Sequence, residues 1–263
     1  MFQFKQFTIH QDRTAMKVGT DGVLLGAWAP IAPEATRLLD IGTGTGLIAL
    51  MLAQRIIDKN CPPELGGRAQ RAEGVCNTEH HNFQIVAIDI DRDSIEQATE
   101  NIQNSPFAQY ITTHHTSLQD YMPDEKFDAI VCNPPYFVAS LKSPDAARTQ
   151  ARHTDTLSFD DLLHHSARLL RPDGSLSVVL PVNEGNQLIE LAPKYGFELT
   201  HLTEVHPTPT APPKRLLLQF VMQNSQLNHS SLLISHSSLT IEIARHQYTD
   251  EYIALTRNFY LKM

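Results

Sequence analysis

The sequence predicts an α/β protein with a doubly wound, mostly parallel, Rossmann-like sheet of seven strands and helices on both faces. Three observations support this fold class. Apolar runs alternate with segments of helical periodicity, a glycine-rich turn joins the first strand to the first helix, and two further apolar runs near the carboxyl terminus suit an antiparallel end to the sheet. Sheets of this class bind ligands at the carboxyl ends of their strands, so functional residues are expected there.

The first half of the pattern contains four strands. The first starts at Arg37 and passes through the glycine-rich turn into a helix, as RLLDIGTGTGLIALMLAQRI. The second covers residues 83–90 and precedes a helix in which Ile95, Ala98 and Ile102 fall on one face. The third strand is YITTHHTSL, and the fourth is FDAIVC, which stops at an asparagine and two prolines that cannot continue a ladder.

The second half continues the alternation and then changes. The segment FDDLLHHSARLLRPDG predicts a helix closed by Pro172 and Gly174, and SLSVVLP predicts the fifth strand. Beyond Pro181, a helix and the strands FELTHLTEV and RLLLQFVM complete the predicted sheet.

The domain organisation is expected to be simple. Residues 1–263 suit a single domain, because this length lies near the upper limit of one hydrophobic core. Residues 1–36 precede the first core strand and are expected to cap the ligand site. Residues 58–82 are polar and rich in helix breakers, which predicts a surface insertion between the first helix and the second strand.

Composition and charge narrow the class of protein. Hydrophobic residues make up 41% and charged residues 19% of the chain, as in globular rather than disordered proteins. No apolar run suits a membrane span, no signal-peptide pattern is present, and 3 cysteines argue against a disulfide framework. We therefore expect a cytoplasmic monomer without membrane contacts. The net charge of -8 weighs against a nucleic-acid partner, although a local basic patch can still bind one.

The glycine-rich turn predicts a nucleotide-like cofactor. Gly42, Gly44 and Gly46 stand directly after the first strand, where the backbone must turn sharply and let a ligand approach. Their spacing differs from the dinucleotide fingerprint, and the carboxylate of Asp40 would repel a pyrophosphate. S-adenosylmethionine carries no phosphate and has cationic groups, so Asp40 can help to hold its methionine part. A tight turn without a ligand is the alternative.

Acidic residues at the next two strand ends suit the nucleoside part of this cofactor. Asp89 ends the second strand, where a carboxylate can accept hydrogen bonds from both ribose hydroxyls. Asp91 competes for this role, but it is better suited to the N-cap of the following helix. Asp120, after the third strand, is expected to accept a hydrogen bond from the adenine amine, unless it is merely an exposed loop carboxylate.

The sequence NPPY at residues 133–136 is the most specific motif. An amine conjugated to a ring is a poor nucleophile because its lone pair is delocalised. The side-chain oxygen of Asn133 and the carbonyl oxygen of Pro134 can accept its two hydrogens and turn the lone pair toward a methyl donor, while Pro135 helps to hold the backbone rigid. Tyr136 can stack on a flipped-out base. The motif therefore predicts methyl transfer to a planar nitrogen.

These motifs resemble those of a known family. The glycine turn LDIGTGTGL, the strand end AIDID and the loop CNPPYF resemble class I methyltransferases that act on planar nitrogens. Together with the amino-terminal KVGTDGVLLGAWA, they closely resemble the tRNA1(Val) (adenine(37)-N6)-methyltransferase family. This resemblance implies the class I methyltransferase fold, and methylation of N6 of adenine 37 in the anticodon loop of tRNA1(Val).

The resemblance also implies roles for individual residues. It makes residues 133–136 the catalytic loop. The cofactor contacts that it implies are Lys17, Thr20, Asp21, Gly42, Gly44 and Asp89.

Other functions share the NPPY loop. Methyltransferases of protein glutamine side chains and other adenine-N6 methyltransferases of rRNA or DNA use it, and the loop alone does not separate them. The amino-terminal segment and the lack of an evident extra helical domain favour tRNA. A non-catalytic module that has kept the fold is a further alternative.

Two groups of residues give weaker signals. Cys61, Cys76, His80 and His81 contain no CxxC pair, so no metal site is expected. Residues that are candidates for phosphate contacts to RNA, although solvated surface charge explains each of them equally well, are Arg148, Arg152, Lys214 and Arg215.

Overall fold

The computed structural model describes residues 1–14, 16–60, 82–135, 157–223 and 233–262. Its strands are β1 (Phe2–Gln3), β2 (Thr8–Ile9), β3 (Arg37–Ile41), β4 (Gln84–Asp89), β5 (Ile111–His115), β6 (Phe127–Cys132), β7 (Leu170–Pro181), β8 (Phe197–His206), β9 (Arg215–Met222), β10 (Ser235–Thr240), β11 (Glu242–Ala244) and β12 (Gln247–Tyr248). Its helices in these ranges are α1 (Thr20–Trp28), α2 (Leu47–Asn60), α3 (Arg92–Gln103), α4 (Phe159–Leu169), α5 (Val182–Leu191) and α6 (Asp250–Thr256).

The main sheet has the spatial order β10-β8-β9-β7-β6-β3-β4-β5 in the described part of the chain. Strand β9 runs antiparallel to its neighbours β7 and β8, and the remaining pairs are parallel. The carboxyl ends of the parallel strands therefore share one edge of the sheet, called the carboxyl edge below. This topology confirms the doubly wound α/β class.

Apolar side chains cover both faces of the sheet. One cluster contains Leu38 of β3 together with buried residues of α1, α2 and α3. The other contains the next residue, Leu39, together with buried residues of α4 and α5. Adjacent residues of a central strand are both buried because helices cover both faces, as expected for parallel strands. The predicted apolar face of α3 is confirmed, since Ile95, Ala98 and Ile102 are buried.

The predicted number of seven strands is wrong, because β10 adds an eighth strand beside β8. Its sequence, SHSSLT, buries only Leu239 and exposes the first four residues. An exposed edge strand needs no alternation of apolar residues, so periodicity gave no signal for it.

The predicted end of the helix in FDDLLHHSARLLRPDG is also wrong. Helix α4 ends at Leu169, and Pro172 and Gly174 lie within strand β7 instead of closing the helix. Leu170 is buried and pairs with Phe127 of β6, so burial in the sheet ends the helix. The register then shifts before Ser175, and Asp173 takes a positive φ of 64° in this irregular stretch.

The amino-terminal segment is part of the core. Phe4 is 1% exposed and stacks on Phe7, and it forms an isolated bridge with Tyr260 near the other end of the chain. Helix α1 packs against α2 at Gly26, where an added Cβ would lie 2.8 Å from Sδ of Met51. Residues 1–36 are thus anchored by packing, whereas their expected role as a cap over the ligand site stays a prediction.

The proposed insertion overlaps with helix α2. The helix continues to Asn60, and the carboxylate of Asp58 in its last turn accepts hydrogen bonds from Gln6 and Gln54. Residues 61–81, which include Cys61, Cys76, His80 and His81, lie outside the described residues. In the described ranges no helix has the length and apolar character that a membrane crossing requires.

Candidate active site

The glycine turn between β3 and α2 has an unusual backbone conformation. Gly42, Gly44 and Gly46 have φ values of 67°, 56° and 81°, which favour glycine. A Cβ added at Gly42 or Gly44 would meet no atom within 4 Å, so these two residues border open space. A Cβ at Gly46 would lie 3.4 Å from Cβ of Ala98, so this glycine allows α3 to pack closely. The first two glycines therefore face the space that a ligand needs.

Asp40, just before the turn, is completely buried. Its Oδ2 accepts hydrogen bonds from Oγ1 of Thr43 at 2.6 Å and from the backbone N–H of Ala49 at 3.2 Å. Burial raises the pKa of Asp40 to about 7, and these two hydrogen bonds oppose the shift. Its Oδ1 is buried without a hydrogen-bond partner in the described structure. One oxygen thus stabilises the turn, while the other is left to meet a donor.

Asp89, at the end of β4, reaches across to the same turn. Its Oδ2 accepts from the N–H of Gly44 and its Oδ1 from the N–H of Asp91, both at 2.9 Å. Burial raises the pKa of Asp89, while the hydrogen bonds from Asp91 and Gly44 lower it. Asp91 accepts from the N–H of Ser94 and caps α3, which confirms its predicted role as N-cap. Asp89 as the ribose ligand stays a prediction.

Asn133 follows β6, which lies beside β3 with Cys132 opposite Ile41. The asparagine is therefore next to the glycine turn. Its Oδ1 is buried and has no hydrogen-bond partner among the described residues. Pro134 is buried and Pro135 is exposed, whereas Tyr136 lies outside the described residues. An acceptor oxygen without a donor thus lies near the open space beside Gly42.

Cys132, the residue before Asn133, is packed in the core. This thiol is 1% exposed and belongs to the core cluster under α4, and burial raises its pKa well above the usual value. It is a packed side chain at the strand end that precedes the NPPY loop.

Asp120 lies in the turn after β5 and is exposed. Its Oδ2 accepts from Oγ of Ser117 at 2.7 Å, and its N–H donates to the same Oγ at 3.1 Å. Asp161 and Ser158 make the same pair of bonds at the start of α4, where they only cap a helix. A local role accounts for the geometry of Asp120, and its contact with the adenine amine stays a prediction.

Of the cofactor contacts predicted in the amino-terminal motif, two are exposed and one is largely buried in an ion pair. Lys17 and Thr20 are exposed. Asp21, in the first turn of α1, accepts from Nε of Arg215 at 2.8 Å, and both side chains are largely buried, with exposures of 19% and 28%. The structure therefore pairs a residue predicted for the cofactor with one predicted for RNA, which the sequence did not indicate. The pair joins α1 to the start of β9.

Two residues near the turn were missed by the sequence reasoning. Asn101 is 1% exposed and bonds to both backbone groups of His10 and, at 2.9 Å, to the carbonyl of Thr45 in the turn. It thus links the amino-terminal segment to the glycine turn. Ile90, directly after Asp89, is 59% exposed, and an exposed apolar side chain there suits a planar ring. A polar residue on the apolar face of α3, and an apolar residue after a strand-ending acid, were the available signals.

The remaining predicted positions are divided between described and undescribed residues. Lys214 is exposed at the start of β9, whereas Arg148 and Arg152 lie outside the described residues. In the ranges that the structure describes, no three His, Cys, Asp or Glu side chains form a group that could hold a metal ion.

Comparison with known proteins identifies the family. A family model described as a methyltransferase domain matches residues 33–206. A tRNA1(Val) (adenine(37)-N6)-methyltransferase of Parabacteroides distasonis is 48% identical over 268 residues, which cover 100% of this chain and 98% of the relative. One of Phocaeicola vulgatus is 45% identical over 262 residues, with coverage of 100% and 98%. The chain belongs to this family of methyltransferases. The resemblance seen in its motifs is thereby confirmed.

Solved structures support the same fold. The structure of a predicted O-methyltransferase from Agrobacterium tumefaciens superposes with a TM-score of 0.61 at 16% identity, over 91% of this chain and 96% of the other. A putative class I S-adenosylmethionine-dependent methyltransferase from Listeria monocytogenes gives a TM-score of 0.55 at 11% identity, over 94% and 70%. At these identities the likeness concerns the fold, which is that of class I methyltransferases.

Family and fold together imply S-adenosylmethionine as the cofactor. The residues present fit it on two observations. Gly42 and Gly44 leave open space above the turn, and Oδ1 of Asp40, which has no partner in the described part of the chain, can receive a proton donor such as an ammonium group. Such a buried oxygen is costly unless something donates to it.

Proposed function

We propose that this protein transfers a methyl group from S-adenosylmethionine to N6 of adenine 37 in the anticodon loop of tRNA1(Val). The observation that carries the proposal is the buried Oδ1 of Asn133, which has no hydrogen-bond partner among the described residues and lies next to the open space at the glycine turn. The full-length relatives that carry this activity in their names support the choice of tRNA over a protein substrate. We place the reaction in the cytoplasm and regard the protein as a monomer with one domain.

The residues on the cofactor side of the site would bind and orient S-adenosylmethionine. Asp89 would accept hydrogen bonds from the ribose hydroxyls, since its carboxylate is already directed at the turn by Gly44 and Asp91. Asp40 would receive the amino group of the methionine part through Oδ1. Lys17, Thr20 and Asp120 are further proposed contacts, while Ile90 would lie against the adenine ring. When bound, S-adenosylmethionine supplies an electrophilic methyl group.

The substrate side orients the nucleophile. Oδ1 of Asn133 would accept one N6 hydrogen and the carbonyl oxygen of Pro134 the other, which takes the nitrogen lone pair out of conjugation with the ring and turns it toward the methyl donor. Pro135 keeps the loop rigid, and Tyr136 would stack on the base. The amine becomes acidic only as the new N–C bond forms, so its proton can leave to solvent without a dedicated base. The protein contributes positioning rather than covalent chemistry.

Methyl transfer to tRNA tests the proposal directly. Bulk tRNA from a strain that lacks the enzyme would be incubated with radiolabelled S-adenosylmethionine and the purified protein, and nucleosides would then be separated. We expect label in N6-methyladenosine, lost when adenine 37 of tRNA1(Val) is replaced by guanine. Label in protein glutamine instead, or no turnover with either substrate, would overturn the proposal.

A further inference from the structure

Unpaired exposed cations are found on only one of the two sides of the carboxyl edge, within the described residues. Beyond β4 and β5 it exposes carboxylates at Asp91, Asp93 and Asp120, next to the half-buried Asp89. The nearby Arg92 is paired with Glu96, so it does little to offset them. Phosphates would be repelled on this side, called the acidic side below.

The opposite side, formed by the ends of β8, β9 and β10, exposes cations as well as the carboxylates of Asp250 and Glu251 in the first turn of α6. Lys214 precedes β9, and the hairpin of β11 and β12 carries Arg245 and His246 at its exposed turn. Because adjacent strands are about 4.8 Å apart, Lys214 lies about 10 Å and the hairpin about 19 Å along the edge from β6, the strand that Asn133 follows. We call this row of residues, Lys214, Arg245 and His246, the basic row.

The basic row is held in place by backbone hydrogen bonds. The N–H groups of Ile241 and Glu242 donate to the carbonyls of His206 and Pro207 at 2.9 and 3.0 Å, which fixes the base of the hairpin to the end of β8. The N–H of Lys214 donates to the carbonyl of Val205 at 2.8 Å. The cations therefore project from a fixed edge and not from a loose loop.

These cations differ from others on the surface in their lack of a salt bridge to a carboxylate within the described residues. Arg13, Arg92 and Arg171 each form a salt bridge with a carboxylate of the protein. Lys214 and Arg245 form no salt bridge within the described residues, so their charge is available to a partner. Exposed apolar side chains accompany them, since Ile243 is 62% and Tyr248 36% exposed on the same hairpin. Exposed cations with an aromatic neighbour suit a nucleic-acid backbone.

We propose that the basic row binds backbone phosphates of the tRNA, so that the anticodon loop reaches Asn133 from the β9, β8 and β10 side. This inference rests on the proposed function and adds the direction of approach and the contact residues. A chain with a net charge of -8 needs such a local surface to hold RNA, and the acidic side does not offer one.

Charge reversal tests the basic row. Lys214→Glu and Arg245→Glu would be compared, singly and together, with Lys126→Glu, which makes the same change of charge at an exposed residue directly before β6, on the opposite edge. We expect the double variant to raise KM for tRNA about tenfold or more, and to reduce the slope of log binding against log salt by about 0.9 per cation. The affinity for S-adenosylmethionine and kcat at saturating tRNA should not change.

Two results would overturn the inference. One is a KM and salt dependence for the double variant equal to those of Lys126→Glu. The other is an equal loss of cofactor affinity, which would indicate a damaged fold. Failure of the proposed function is recognised separately, because the unmodified protein would then put no methyl group on tRNA.

Discussion

The two ends of the candidate site differ in how their polar atoms are paired. At Asp89, both carboxylate oxygens accept backbone hydrogen bonds, one of them from the glycine turn. At Asn133, the side-chain oxygen is buried and accepts none among the described residues. Leaving a buried acceptor unpaired costs about 1–3 kcal/mol. The difference indicates that Asp89 is held in place by the protein itself, whereas the Asn133 end is completed only when a donor arrives.

The strongest test of this comparison is Asn133→Ala. It removes the acceptor for the amine and leaves the turn intact, so we expect kcat to fall about 100- to 1,000-fold, as when one polar group that acts in the transition state is lost. Calorimetric titration should give an unchanged dissociation constant for S-adenosylmethionine. A comparable loss of cofactor affinity would contradict the division between the two ends.

Asp89→Ala should weaken cofactor binding and leave kcat largely unchanged, the opposite of Asn133→Ala. Loss of hydrogen bonds to a charged group should weaken cofactor binding about 10- to 100-fold, while kcat at saturating cofactor changes much less. Asp91→Ala is the matched control, since it removes a neighbouring carboxylate that caps α3 and should lower stability without this effect on affinity. Equal affinities of the two variants would argue against Asp89 as the ribose ligand.

Asp40 resembles both ends, because one of its oxygens is hydrogen-bonded and the other has no partner in the described structure. Its raised pKa predicts that the stability of the protein depends on pH. Its folded pKa of about 7 exceeds the usual value of 3.8, so the folded protein keeps a proton that the unfolded chain loses. This residue therefore lowers the free energy of unfolding as pH rises from about 4 to about 7, by at most roughly 1.4 kcal/mol per pH unit. Asp40→Asn should remove this contribution, and the stability of the variant relative to the unmodified protein should rise across that range in urea unfolding. A constant difference would show that Asp40 does not titrate there.

The smallest effect concerns the backbone of the turn. Gly44→Ala places a side chain at a φ of 56°, which costs about 1 kcal/mol, and its methyl group enters the open space. Gly196→Ala is the control. Gly196 has a φ of 80°, so a side chain there is strained to a similar degree, but it lies beside Met222 and not in the glycine turn. We expect thermal unfolding to respond to both, but cofactor affinity to fall only for Gly44→Ala. Loss of affinity in both variants would show that strain, and not contact with the ligand, is responsible.

Local signals in the sequence predicted the fold class and the position of the glycine turn, whereas the roles of the site residues stay predictions. The N-cap at Asp91 and the buried face of α3 depend on residues three or four apart, which periodicity and capping rules cover. The pair of Asp21 and Arg215, separated by 194 positions, has no such signal. The three bonds of Asn101 and the polar strand β10 were missed for the same reason, since tertiary neighbours decide them.

The packing of Cys132 has a consequence for measuring motion. A thiol with this burial and a raised pKa reacts with alkylating reagents only after its strand has opened. In a background where Cys61 and Cys76 are replaced by serine, Cys132 is the remaining thiol of the chain. Its labelling rate would then report how often β6, the central strand before Asn133, opens. Slower labelling with cofactor present would show by how much ligand binding reduces the opening of this strand.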